Sequence, residues 1–221
     1  MHSIETQLHA ITGRIREAER VSHRKPFDVS LLAVSKKQSA DKIREAFLLG
    51  QRQFGENYVQ EALQKKALLS DLPIEWHFIG SIQSNKTKLI AEQFNWVHSV
   101  NRFSIAQRLN HQRPSHLPPL NICLEVNIDL SPTKSGVLPD CVFALAEQIR
   151  SLKNVTLRGL MVIPDKNTID AFKKTAQLQQ ELIHHGFSLD TLSMGMSDDF
   201  KLAIAKGSTM VRIGTAIFGE R

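Results

Sequence analysis

The sequence is poor in cysteine. Only Cys123 and Cys141 occur, and neither forms a CxxC pair or has a histidine at zinc-binding spacing nearby. We therefore expect no disulfide framework, and two buried free thiols in a reducing compartment. The N-terminus lacks the basic and apolar blocks of a signal peptide, and no apolar run approaches the ~18 residues of a membrane span. A cytoplasmic protein without a membrane segment is predicted.

Aromatic residues and clustered charge are also scarce. Aromatic residues make up 6% of the 221 residues, and the 28 lysines and arginines are scattered without a long basic run. The net charge of +6 alone is compatible with a polyanion partner. Nucleic-acid interfaces combine basic stripes with aromatic stacking platforms, so no specific nucleic-acid partner is expected. A small anion such as a phosphate group remains compatible with these cations.

Glycine and proline are few, at 11 and 8 residues, whereas 42% of the chain is apolar. This composition excludes collagen-like and disordered chains. A chain of this length buries about 70% of its extended surface on folding. Because no linker or low-complexity segment interrupts the sequence, residues 1–221 are predicted to form a single domain.

Strand-like apolar blocks alternate with helical patterns along the chain. Helical spacing over residues 3–22 predicts an N-terminal helix. Strands are predicted at 29–34, 51–54, 74–79, 95–100, 120–128, 155–162, 191–194 and 210–213. Helices are predicted at 39–49, after Asn57 and Ser84 as N-caps, before Pro114, and at 139–152, 168–184 and 198–205. Asn57 and Gln60 have the spacing of a capping box.

The regular alternation implies parallel βα units. Eight such units favour an α/β fold of the closed (β/α)8, or TIM-barrel, type with an extra N-terminal helix. An open doubly wound sheet is the alternative, but the G-x-G-x-x-G loop typical of that fold is missing. In a barrel, functional residues lie at the C-terminal ends of the strands.

The first predicted strand ends in two lysines, Lys36 and Lys37. An amine beside the apolar core of a strand loses part of its hydration, which favours its neutral, nucleophilic form. Such an amine forms Schiff bases with aldehydes. Two solvated lysines at a strand end are the alternative interpretation. At most one of the two lysines points into the barrel, and since both faces of this strand are apolar, its pattern does not show which one.

The loops after the seventh and eighth strands resemble an anion site. Ser197, Gly214 and Thr215 lie there, and small residues let backbone N–H groups approach an oxyanion. These two loops are the usual phosphate position in barrels. A plain helix start with the acidic residues Asp198 and Asp199 in its first turn is the alternative.

Other polar residues give weaker signals. His77, on the third strand, is compatible with a ligand contact or with a core histidine. Glu125 and Asn127 alternate within an apolar run, so they line the barrel mouth or bond to each other. No metal site is expected, because His184 and His185 are adjacent on a helix and face different ways.

Several segments together resemble the pyridoxal phosphate homeostasis protein family. They are LAVSK at 32–36, FGENYVQE at 54–61, WHFIG at 76–80, SNK at 84–86, KSG at 134–136, RGLM at 158–161, GMSDD at 195–199 and MVRIGT at 210–215. The resemblance covers essentially the whole chain in order. It implies a barrel like the N-terminal domain of alanine racemase and the cofactor pyridoxal 5′-phosphate.

The resemblance also implies roles for individual residues. Lys36 would form the internal aldimine, and Arg212 would face the pyridine nitrogen. The phosphate would be held by Ser197, Gly214 and Thr215. Asn57 and His77 would border the ring, and Lys134 matches a lysine of the loop after strand five. One departure is the pair Lys37–Gln38, where the bacterial pattern has Thr-Lys.

The implied function is cofactor binding in vitamin B6 homeostasis without a robust catalytic activity. An arginine beside the ring nitrogen disfavours the pyridinium form and weakens the cofactor as an electron sink. Racemases of this fold use a second domain, for which only residues 218–221 would remain here. The alternative is an amino-acid racemase or lyase of the alanine racemase type. Apo-enzymes that use the cofactor are candidate partners, and a lone barrel is expected to be a monomer.

Overall fold

The computed structural model describes residues 3–165 and 170–219. Its strands are β1 (Ser30–Val34), β2 (Gln53–Glu56), β3 (Glu75–Phe78), β4 (Trp96–Val100), β5 (Leu120–Glu125), β6 (Val155–Met161), β7 (Thr191–Ser193) and β8 (Met210–Ile213). Its helices are α1 (Ile4–Val21), α2 (Ala40–Leu48), α3 (Val59–Leu68), α4 (Thr87–Gln93), α5 (Phe103–Gln112), α6 (Pro139–Arg150), α7 (Ala171–His184), α8 (Phe200–Ala205) and α9 (Thr215–Phe218).

The eight strands form one closed parallel barrel in chain order, and β8 pairs with β1. In that closing pair Leu32 lies opposite Arg212 and Ala33 lies opposite Ile213. Closure leaves no unpaired sheet edge. The predicted (β/α)8 barrel is therefore confirmed, and the open-sheet alternative is wrong.

Helix α1 covers the side of the barrel where β8 meets β1. Ser3 caps the helix by accepting a hydrogen bond from the Thr6 N–H. The apolar face carries the buried residues Leu8, Ile11 and Ile15, and the helix packs against α2, α8 and α9. Burial of each such side chain contributes about 1.5–3 kcal/mol. The extra helix thus supports the part of the barrel that carries the β8 loop.

Two predicted helix caps are wrong. Helix α3 begins at Val59 with the extended residue Tyr58 before it, and no side chain caps it, so Asn57 stands one residue too early. A 3₁₀ turn runs over Ser84–Lys86, and α4 begins only at Thr87. In both places the loop geometry at the strand end, and not the local capping chemistry, sets where the helix begins.

Element ends differ in smaller ways from the predicted ones. Strand β5 stops at Glu125, after which Val126 forms only an isolated bridge with Val137. Helix α8 begins at Phe200, two residues later than predicted. Helix α7 begins at Ala171, and residues 168–169 of the predicted helix lie outside the described residues.

Both cysteines are free thiols, as predicted, but only one of them is buried. Cys123 lies inside the barrel, whereas Cys141 is exposed on α6. Burial raises the pKa of the Cys123 thiol to about 12. Each helix in the described part of the chain is too short or too polar to cross a membrane.

Candidate functional site

The candidate site lies at the C-terminal ends of four consecutive strands. Going around the barrel, β2 pairs with β1, β1 with β8, and β8 with β7. Asn57 directly follows β2, and Lys36 lies two residues beyond β1. Gly214 and Thr215 follow β8 and Ser197 follows β7. The barrel therefore gathers five sequence-predicted residues along one continuous arc of its mouth.

The two lysines after β1 have different environments. Lys36 is half-buried, whereas Lys37 is exposed. Lys37 also has a left-handed backbone with φ of 61°, and its N–H donates to the Glu61 carboxylate. The amine that is partly withdrawn from water is thus that of Lys36. The β1 sequence does not distinguish the two lysines, and this turn makes their exposure different.

The β8 loop passes very close to β1 at Gly214. A Cβ at this position would lie 2.8 Å from the Val34 carbonyl oxygen, closer than real Cβ atoms come. Any larger residue would push the loop away from the strand that leads to Lys36. The absence of a side chain therefore lets the backbone of Gly214 lie against Val34, two residues before Lys36, and leaves room for backbone binding of an anion.

The β7 loop is closed by its own hydrogen bonds. The Arg212 N–H donates to the Gly195 carbonyl at 2.9 Å, and the Met196 N–H donates to the Asp199 carboxylate at 2.6 Å. Asp199 is the residue before α8, but its side chain makes no capping hydrogen bond to that helix. The loop that carries Ser197 is therefore tied to β8, next to Gly214.

A chain of hydrogen bonds crosses the interior of the barrel below this arc. Arg212 donates to the Ser193 hydroxyl at 2.8 Å, and that hydroxyl is 2.8 Å from Nδ1 of His98. Nε2 of His98 is 2.9 Å from Nδ1 of His77, whose Nε2 is 2.8 Å from the Glu75 carboxylate. Strands β4 and β7 are not neighbours in the sheet, so the link between His98 and Ser193 spans the interior.

The two ends of this chain fix the direction of its hydrogen bonds. Arg212 can only donate and the Glu75 carboxylate can only accept. With both histidines neutral, Ser193 donates to His98, His98 donates to His77, and His77 donates to Glu75. Burial lowers the pKa of both histidines, and the positive charge of Arg212 further lowers that of His98. The neutral forms that the chain needs are therefore the ones that burial favours.

Arg212 is the buried cation at the upper end of this chain. It also donates to the Ser193 carbonyl and, at 2.8 Å, to the Val162 carbonyl. Burial lowers the pKa of its guanidinium to about 10, which leaves it charged at neutral pH. Three acceptors from two neighbouring strand ends hold the guanidinium in place just beneath the mouth.

Several buried polar atoms have no hydrogen-bond partner among residues 3–165 and 170–219. Two of them, Oδ1 of Asn57 and Oε2 of Glu125, belong to residues at the mouth, and another, Oε2 of Glu56, belongs to a carboxylate that Lys65 contacts. Burial raises the pKa of the Glu125 carboxyl to about 7, although the positive charge of Arg212 opposes this. Asn127 does not bond to Glu125, because its amide is engaged with Ser131 and Lys134. Buried polar atoms without partners are costly in a protein, so the two at the mouth are available to a bound molecule.

Lys134 lies across the mouth, in the loop after β5. Its ammonium donates to Asp129 at 2.5 Å and to Asp165 at 2.8 Å, and it also donates to the Ile163 carbonyl at 3.0 Å. These hydrogen bonds raise the pKa of Lys134, whereas burial lowers it. Lys134 therefore ties the β5 and β6 loops together and stands apart from the arc around Lys36.

His98 and Ser193 were not singled out from the sequence. Each is a polar residue near the end of an apolar strand segment, which is a weak signal for a residue inside the barrel. Their partnership joins positions 95 residues apart, and no local pattern indicates it. His77 was singled out correctly as a histidine of β3, and both of its ring nitrogens have protein partners.

The fold and the site define an α/β barrel that presents an amine and two anion-compatible loops at one mouth. Residues 6–221 match the family described as alanine racemase, N-terminal domain. The chain belongs to this family and, within it, to the pyridoxal phosphate homeostasis proteins. The resemblance that the sequence motifs indicate is confirmed.

Curated relatives match over their full lengths. The pyridoxal phosphate homeostasis protein of Pseudomonas aeruginosa is 54% identical, and the alignment covers 100% of this chain and 97% of the relative. The protein of the same name from Escherichia coli K12 is 45% identical, with coverage of 100% and 98%. These identities show family membership along the whole barrel.

Solved structures agree with this assignment. PipY of Synechococcus elongatus, solved with pyridoxal phosphate bound, has a TM-score of 0.81 and 40% identity, with coverage of 93% of this chain and 100% of PipY. Alanine racemase of Corynebacterium glutamicum has a TM-score of 0.67 at 16% identity, and 62% of its chain is covered. The racemase thus shares the barrel fold.

Proposed function

We propose that this protein binds pyridoxal 5′-phosphate reversibly, as a Schiff base on Lys36, and serves in vitamin B6 homeostasis without a robust catalytic activity. The observation that carries the proposal is the arc of strand ends, in which the half-buried Lys36 follows the strand end that Gly214 of the β8 loop closely approaches. PipY, which has been solved with this cofactor, shares 40% of its sequence with this chain.

The residues of the arc fit the chemical parts of the cofactor. The Lys36 amine would add to the aldehyde carbon, and loss of water would leave a C=N bond. The phosphate would lie against Ser197, Gly214 and Thr215, where backbone N–H groups and a hydroxyl can donate to its oxygens. The unpartnered Oδ1 of Asn57 would face a donor of the bound molecule.

Arg212 would stand at the pyridine nitrogen. As a permanent donor held by the carbonyls of Ser193 and Val162, it would hydrogen-bond a neutral ring nitrogen and oppose its protonation. A neutral ring withdraws fewer electrons than a pyridinium ring. This arrangement supports holding the cofactor more than breaking bonds at an amino-acid α-carbon. His77 would support the ring site from below, through its link to His98.

A second candidate function is an amino-acid racemase or lyase reaction on the same Schiff base. Glu125 favours it, because a half-buried carboxyl with a pKa of about 7, at the end of β5 across the mouth from β1, could serve as an acid opposite the Lys36 base. The two functions differ in whether an added amino acid loses its α-proton. Exchange of that proton for deuterium from solvent therefore separates them.

An absorbance titration with pyridoxal phosphate tests the proposal. The wild type is expected to develop a Schiff-base band that borohydride fixes onto the chain, and Lys36→Ala is expected to lose both. Lys37→Ala is the matched control, since its exposed amine should leave the band unchanged. A wild type that shows no band would contradict the proposal. Exchange of the amino-acid α-proton for deuterium that depends on Lys36 and Glu125 would favour the racemase or lyase function instead.

A further inference from the structure

A second lysine, Lys65 on α3, is buried directly behind the strand that leads to Lys36. Its side chain is 7% exposed, and its ammonium has three oxygen partners. It donates to the Ser35 carbonyl at 2.7 Å, to Glu56 at 2.7 Å and to Glu61 at 2.6 Å. Lysine is rarely buried this deeply unless its charge is paired, and here Glu56 and Glu61 supply the pairing.

The partners of Lys65 lie on both sides of Lys36 in the chain. The Ser35 carbonyl belongs to the peptide bond that joins Ser35 to Lys36. Glu61, another partner of Lys65, accepts a hydrogen bond from the Lys37 N–H, which belongs to the peptide bond that joins Lys36 to Lys37. A single ammonium therefore connects to the two peptide groups that flank the Lys36 Cα.

Glu56, the last residue of β2, completes this arrangement. Its Oε1 accepts from Lys65 and also from the Ser35 hydroxyl at 2.6 Å, so β1 and β2 are joined at their C-terminal ends. Burial raises the pKa of the Glu56 carboxyl, whereas its bonds to Lys65 and Ser35 lower it. Among the described residues this carboxylate has two donors, Lys65 and Ser35, and the contact with Lys65 is also its ion pair. The charge of this buried carboxylate therefore depends on Lys65.

We infer that Lys65, with Glu56 and Glu61, is a positioning group that holds the backbone of Lys36 in the conformation required for Schiff-base formation. None of the three needs to touch the bound cofactor. The group rests on the proposed function, because it has a role in binding only if Lys36 is the residue that reacts. The inference assigns α3 a part in binding, since this helix carries Lys65. The sequence motifs around Lys36 do not indicate this part.

The inference predicts a selective defect in Lys65→Met. Positioning matters for covalent attachment, so the affinity for pyridoxal phosphate should fall about tenfold and the band should form more slowly. Pyridoxine 5′-phosphate has the same ring and phosphate but no aldehyde, so its affinity should stay within about twofold of the wild type. Lys66→Met is the matched control, because the neighbouring lysine donates instead to the Gln93 carbonyl.

A double variant separates positioning from stability. Lys65→Met alone leaves the buried Glu56 carboxylate without its cation, which destabilises the fold. Lys65→Met with Glu56→Gln removes that charge, so the melting temperature should recover toward the wild-type value. The defect with pyridoxal phosphate should nevertheless remain, because the Ser35 carbonyl still lacks its donor.

Both ligands are measured on the wild type, Lys66→Met and the double variant, and on Lys65→Met if it folds. A loss for pyridoxal phosphate alone supports the inference. Equal losses for both ligands, or none for either, overturn it, and a loss that disappears in the double variant does so as well. A wild type that forms no Schiff base overturns the proposed function itself, which distinguishes the two failures.

Discussion

The interior of the barrel and its mouth differ in how their polar groups are satisfied. In the interior, the chain from Arg212 to Glu75 gives each ring nitrogen and hydroxyl a partner between 2.8 and 2.9 Å away. At the mouth, Asn57 and Glu125 each keep a buried oxygen without a partner in the part of the chain that the structure describes. The two regions are only a few residues apart along the strands.

This difference separates groups that hold the fold from groups that await a ligand. A satisfied buried network stabilises one arrangement of the core, whereas an unsatisfied atom costs stability until something binds to it. Substitutions in the interior should therefore act on the free protein, and substitutions at the mouth should act on binding. Arg212 belongs to the interior by its contacts and to the mouth by its position, so it is the most informative residue to change.

The largest effect is expected for Arg212→Met. This substitution removes three hydrogen bonds from a charged donor, to the Val162 carbonyl, the Ser193 carbonyl and the Ser193 hydroxyl. The Ser193 carbonyl keeps the Val162 N–H as a donor and the hydroxyl keeps His98, so only the Val162 carbonyl loses the donor described here. A hydrogen bond to a charged group is worth about 1.5–3 kcal/mol, so the free energy of unfolding of the ligand-free protein should fall by about 4 kcal/mol. Urea denaturation measures this difference.

Arg158→Met is the control for Arg212→Met. Arg158 pairs with Asp190, whose side chain is 57% exposed, and an ion pair of this kind contributes only about 1 kcal/mol or less. The contrary result is that Arg212→Met has the same urea midpoint as the wild type and loses only affinity for the ligand. Arg212 would then act in binding, as the residues of the mouth do, and not in stabilising the interior.

Much of the fold could be predicted because the eight strands are short apolar blocks separated by helices of regular period. The barrel then brings the strand ends to one face, so Lys36, Ser197 and Gly214 could be grouped without any knowledge of contacts. The choice between Lys36 and Lys37 could not be made from the strand pattern. The difference in exposure between the two lysines depends on a left-handed turn at Lys37, and the sequence around Lys37 does not predict this turn.

The remaining parts of the site depend on contacts between distant segments. Lys65 looks like one of many surface lysines on an amphipathic helix, and only the packing of α3 against the ends of β1 and β2 buries it. Asn57 has the right chemistry for a cap and the right spacing to Gln60, yet its side-chain oxygen is left unpartnered. Tertiary structure overrides local preference in both cases.

An intermediate effect is expected for Glu125→Gln, which tests one unpartnered oxygen of the mouth. The Glu125 carboxyl has a pKa of about 7 in the folded protein against 4.5 ordinarily. The folded state therefore holds this proton more tightly than the unfolded state. The stability that this gives is complete below pH 4.5 and is lost as the pH rises through 7.

The measurement compares unfolding free energies of the two ligand-free proteins across this pH range. Relative to Glu125→Gln, the wild type should lose up to about 3 kcal/mol between the two pKa values. All other titratable groups are common to both proteins and cancel in the difference. Parallel pH profiles would mean that Glu125 is hydrated like an ordinary surface carboxylate and is not an unsatisfied group of the mouth.

The smallest effects are expected where the proposed phosphate site is changed, at Ser197→Ala and Thr215→Val. Ser197 lies in the β7 loop, and Thr215 is the exposed first residue of α9. Neither belongs to the interior chain, so ligand-free stability should stay within about 0.5 kcal/mol of the wild type. Each substitution removes one donor to a charged oxygen, which is worth about 1.5 kcal/mol, or about tenfold in affinity. Titration with pyridoxal phosphate and competition by inorganic phosphate measure this loss. Unchanged affinity in both variants would show that backbone N–H groups alone hold the phosphate, and would restrict the ligand-dependent part of the mouth to Lys36, Asn57 and Glu125.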